Sequence, residues 1–141
     1  MGQPGAQGPR GFSAWDPIPS GTTVKGAEAF DVESARAQSD FRFSVPLGGR
    51  VPALAVDHVN FAPDGSPGTT DDDALCTGTA AAPTAPAGRV CLYATGVNAK
   101  NANGRELNAV DGGSTGFSVG FFNDLADSDT FVQFTWAYTA P

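Results

Sequence analysis

A chain of 141 residues, 40% apolar and carrying ten phenylalanines, is long enough for one domain with its own core and too apolar to be wholly disordered. Its formal net charge of -7, with eight Lys and Arg residues strung singly from Arg10 to Arg105, argues against a nucleic-acid partner, because phosphate binding takes a clustered basic face. No apolar run reaches the roughly 18–20 residues that span a bilayer, so membrane insertion is not expected.

The chain opens MGQPGAQGPRGFSAWDPIP, with Gly2, Gly5, Gly8 and Gly11 in one three-residue register that stops at Ala14. Glycine at every third position is what a collagen triple helix requires, because three polyproline-II-like chains meet at an axis that has no room for a side chain. The triplets GQP, GAQ, GPR and GFS carry Gln, Pro, Arg and Phe, whereas flexible linkers are usually rich in Gly and Ser. A linker is the alternative reading. Residues 1–13 are therefore expected to be the end of a collagen-like stem, and 14–141 one folded head.

Within the head, strand-like stretches recur between clusters of Gly, Pro, Asn and Asp. In chain order they are 22–26, 40–47, 56–62, 89–95, 114–122 and 129–140. Phe41, Phe43 and Val45 alternate with Asp40, Arg42 and Ser44, as in a strand with one buried face, and Phe117, Val119 and Phe121 repeat the pattern. The last stretch sets Val132, Phe134, Trp136 and Tyr138 on one side and Phe131, Gln133, Thr135 and Ala137 on the other, too apolar for a water-exposed edge. Only 26–38 competes as a helix, and its apolar positions are mostly alanine, so strand plus loop is expected there. The set predicts an all-β protein whose strands close into two packed sheets, as a β-sandwich or jelly roll.

Cys76 and Cys91 enclose a segment of Thr, Gly, Ala and Pro. A disulfide in an oxidising compartment is expected, since such a segment cannot order itself by packing, and two buried free thiols are the alternative. Structural zinc needs four N or S ligands, and His58 is the only histidine. His58 itself reads as a partly buried strand histidine. Asp64, Asp71, Asp72 and Asp73 bunch oxygen ligands that calcium could use, but their spacing is not that of an EF-hand, and a solvated acidic loop is the simpler expectation. The single histidine, His58, would have to serve any Ser-His arrangement, so neither an enzyme nor a cofactor is expected.

A collagen stem running straight into one β domain through GFSAWDPIPSGTTVKG, with an aromatic last strand ending WAYTAP, resembles the C-terminal heads of bacterial and phage collagen-like proteins. Those heads are similar in plan to the trimeric jelly rolls of the complement-collagen and tumour necrosis factor superfamily. The resemblance implies a homotrimer that registers the stem of an extracellular, cell-surface or virion fibre. It also implies that the strand from Phe131 to Tyr138 lies near a three-fold axis, with Val132, Phe134, Trp136 and Tyr138 in the core or in the subunit interface. Phe12 and Trp15 would pack where stem meets head, and Pro17 and Pro19 would suit the point where three chains diverge. The segment 62–88 departs from the better-known members and is expected to be a surface loop clipped by the cysteines. The alternative function is a distal tip that binds a host receptor or glycan, with avidity from three copies.

Overall fold

The computed structural model describes residues 1–8, 10–11, 13–63, 73–94, 99–102 and 108–141. The described chain is all-β, in two sheets. Eight strands follow one another: β1 Thr23–Ser34, β2 Asp40–Pro46, β3 Val59–Phe61, β4 Val90–Tyr93, β5 Ala99–Lys100, β6 Asn108–Gly112, β7 Gly116–Phe122 and β8 Ser128–Thr139. A three-stranded sheet runs β2-β7-β6, and a five-stranded sheet runs β1-β8-β4-β3, with β5 added to β8.

The long ladder joins the first strand to the last: β1 pairs antiparallel with β8 from Thr23↔Thr139 to Ser34↔Ser128. That ladder decides the stretch that could have been helical. In β1 the positions Val24, Gly26, Glu28, Phe30 and Val32 are half-buried while Thr23, Lys25, Ala27, Ala29, Asp31 and Glu33 are exposed, the period of two that a sheet imposes. The strand ends in a turn that Gln38 closes in left-handed conformation, φ 56°. Lys25, Asp31 and Glu33 on this edge strand discourage further strand addition.

β2 pairs antiparallel with β7 from Asp40↔Phe122 to Pro46↔Gly116. First with last and second with penultimate is the nested pairing of a jelly roll. The nesting breaks further in, where β3 runs parallel to β4 and β4 lies antiparallel to β8. β6 pairs with β7 through a register shift between Ala109 and Asp111. The first part of 56–62 is a 3-10 turn, Val56–His58, so His58 precedes the strand rather than lying in it.

Side chains from both sheets meet in one core. Val132, Phe134, Trp136 and Tyr138 are at most 4% exposed, so the inner face of β8 is covered by its own chain. Phe43 stacks between Phe30 and Phe134 at 5.3 and 5.8 Å, and Phe117 meets Trp136 edge-on at 5.5 Å. Gly26 makes room for that indole: a Cβ there would lie 2.5 Å from Trp136 Cε2. Two buried polar atoms, Trp136 Nε1 and Tyr138 Oη, have no hydrogen-bond partner among the described residues.

Candidate functional site: the stem junction and the groove beside it

Residues 1–8, 10 and 11 form no strand or helix and are exposed. At Gly2, Gly5, Gly8 and Gly11 a Cβ would meet nothing within 4 Å. Among the described residues no contact requires these positions to be glycine. The head's tight glycines differ: a Cβ on Gly49 would lie 2.6 Å from Ile18 Cγ1, and one on Gly116 would strike the Val45 carbonyl.

Ser13–Asp16 form a tight turn between the glycine triplets and the sandwich. Ser13 donates from its backbone N–H and its hydroxyl to Asp16 Oδ2 at 2.8 and 2.9 Å, which holds the Asp16 carboxyl below its ordinary pKa. Arg50 then grips the chain: its N–H donates to the Asp16 carbonyl at 2.9 Å, and its carbonyl accepts from Ile18 N–H at 2.8 Å. Pro17 and Pro19 are exposed on either side of Ile18, which is buried at 6% exposure. Ile18 is thus the residue that pins the junction to its own head, and sequence reasoning passed over it. A lone apolar side chain between two prolines has no periodicity to reveal it. Trp15, at the tip of the turn, is 85% exposed in the single chain, and Phe12 lies outside the described residues.

Beside the turn lies a groove of about 810 Å³. Ala14 and Trp15 form one rim, the loops 48–50 and 112–115 wall it, and the ends of β2 and β7 make its floor. The floor is the outer face of the three-stranded sheet, where Ser44 and Pro46 are exposed and Gly116 and Ser118 are half-buried. The Ser44 and Ser118 hydroxyls sit 3.3 Å apart across the pair. Among the described residues lining the groove, Arg50 is the only charged side chain.

On the opposite outer face, β4 and the Thr135–Thr139 end of β8 are roofed. Cys76 and Cys91 are bonded to each other within the chain, and the segment between them crosses β4 and β8. Tyr93 Oη donates to the Thr84 carbonyl at 2.5 Å and accepts from Gly78 N–H at 3.0 Å. The Thr135 and Thr139 hydroxyls donate to the carbonyls of Ala80 and Ala85, both at 2.8 Å. A second small core of Ala62, Cys76, Cys91 and Tyr93 fills the space beneath. The described part of 62–88 is therefore a strap laid on the sheet and clipped by the disulfide.

Asp73 starts the strap, paired with Arg89 at 2.7 Å and capping Leu75 N–H at 2.9 Å. Its carboxylate is thus engaged. Asp64, Asp71 and Asp72 lie outside the described residues, among which no group of three or more His, Cys, Asp or Glu side chains is placed to hold a metal ion. His58 is half-exposed, its Nε2 3.9 Å from Asp57 Oδ1. No helix among the described residues is long and apolar enough to cross a membrane, and the disulfide is compatible with an extracellular protein. No protein-family model, no curated protein and no solved structure matches this chain.

Proposed function

We propose that this chain is the non-enzymatic, homotrimeric head of a collagen-like fibre or surface protein, which brings three stems together and sets their register. The observation that carries the reading is the set of four glycines spaced by three that no contact among the described residues explains. A triple helix explains them, because it excludes every side chain from its axis at that spacing. Four triplets are too few to hold such a helix alone, and a folded domain joined directly to them raises the effective concentration of the three ends. The disulfide fits an extracellular location. Neither nucleic acid nor membrane insertion belongs to this reading.

The test is to lengthen the stem with Gly-Pro-Pro triplets ahead of Gly2 and follow triple-helix recovery after melting, with and without residues 14–141. With the head attached, recovery should be fast and independent of chain concentration. Equal, concentration-dependent recovery in both would refute the reading.

A further inference from the structure

Resting on the homotrimer reading, we infer that the chains associate through the groove and the outer face of the three-stranded sheet, with the exposed Trp15 as the projecting contact, and not through β8. The inner face of β8 is filled by its own core, and on the outer face of the five-stranded sheet the disulfide strap roofs β4 and the Thr135–Thr139 end of β8, leaving exposed a β1 that carries Lys25, Asp31 and Glu33. The outer face of the three-stranded sheet has neither cover over Ser44, Pro46, Gly116 and Ser118. Position then selects the partner. The stem leaves the head at the rim of this groove, through Ala14 and Trp15. Chains of a triple helix share one axis, so the face of each head next to its stem exit is the face nearest the other two heads.

Chemistry agrees with position. The groove is poor in charge, its small side chains let a neighbouring backbone approach closely, and an indole that is 85% exposed lies at its edge. A three-fold interface is heterologous, one patch meeting a different patch, so Trp15 of one chain can seat against the next chain's groove all the way round a closed ring. Aromatic anchors in such pockets carry much of the binding energy of an interface.

The experiment compares the full chain with Ser44→Glu, with Trp15→Ala and with Ala29→Glu, the last on the exposed face of β1. Each is measured by light scattering for mass and by circular dichroism for fold. Ser44→Glu and Trp15→Ala should keep the β spectrum while the mass falls threefold, to one chain of 14.4 kDa, and Ala29→Glu should stay trimeric. Trimers that survive both changes in the groove would overturn this inference and leave the homotrimer reading standing. A monomeric parent chain would overturn both. Because both cysteines are engaged in the disulfide, Ser44→Cys adds a single free thiol at almost no cost to the fold. It should react with a maleimide several-fold more slowly than Ala29→Cys, and equal rates would also overturn the inference.

Discussion

The strap over β4 and β8 should depend on its disulfide more than on its own packing. Cys76 and Cys91 are 15 residues apart, and closing a loop of that length stabilises the fold by about 3 kcal/mol in the chain-entropy account. The perturbation is Cys76→Ala with Cys91→Ala; serine is avoided because Cys91 is fully buried and an unpaired hydroxyl there would add its own cost. For a domain of this size the expected loss corresponds to a fall in Tm of about 10 °C. What remains to hold the strap includes the Tyr93 hydroxyl with its two partners, the two threonine bonds, the Arg89–Asp73 pair and the backbone bonds of Asp73 to Phe61 and Gly88 to Thr139. Tyr93→Phe, which strands the Gly78 N–H and the Thr84 carbonyl, should cost about 1–3 kcal/mol in the oxidised protein. It should cost less once the disulfide is gone, because a freed strap no longer holds those partners in place, a coupling of at least ~0.5 kcal/mol. Thermal melts of the four proteins, followed by circular dichroism, give the cycle. A fall in Tm no larger than that of a surface substitution, or strict additivity with Tyr93→Phe, would refute the account of the strap as a disulfide-dependent roof.

Gly26→Ala should destabilise the head by about 1–3 kcal/mol in chemical denaturation, because a methyl group there is driven into the Trp136 ring. Ile18→Ala should cost about 2–5 kcal/mol and loosen the junction to protease, since Ile18 is the buried anchor between stem and head. Tyr138→Phe should leave stability unchanged or raise it by up to about 1 kcal/mol, because the lost hydroxyl has no partner among the described residues. Burial raises the Tyr138 phenol above its ordinary pKa of 10.0, so the unfolded chain releases that proton first. Stability should therefore decline as the pH rises past 10 toward the folded value, and Tyr138→Phe should remove that component of an alkaline titration.

The alternating strands were legible because a half-buried strand writes its burial into every second residue. Phe41, Phe43 and Val45 face the core, as do Phe117, Val119 and Phe121. Short elements gave no such signal: β5 is two residues long, and β6 carries Asn108, Asp111 and Gly112 through an irregular register. The 3-10 turn at Val56–His58 was hidden because three residues are too few to show a period and they run directly into the strand Val59–Phe61. Polar residues that hold loops together were also missed. Asn123 is fully buried, accepting from Ser39 N–H at 2.7 Å and donating to the carbonyls of Arg36 and Leu125. An asparagine in FFND reads as a turn marker, and nothing in sequence spacing tells which distant carbonyls it will join. At the junction the buried side chain within one chain is Ile18, which no periodicity marks, while the expected packing of Trp15 concerns neighbouring chains. The disulfide was legible for a plain reason: two cysteines flank a segment that cannot order itself by packing.

The central claim is that this head is a trimer, and the mass of the unaltered chain in solution tests it most directly. Light scattering across a dilution series at micromolar concentration should give three times the chain mass of 14.4 kDa, and residues 14–141 alone should give three heads as well. A single-chain mass that persists for both would contradict the account, and would leave the four glycines at the start of the chain without a partner to explain them.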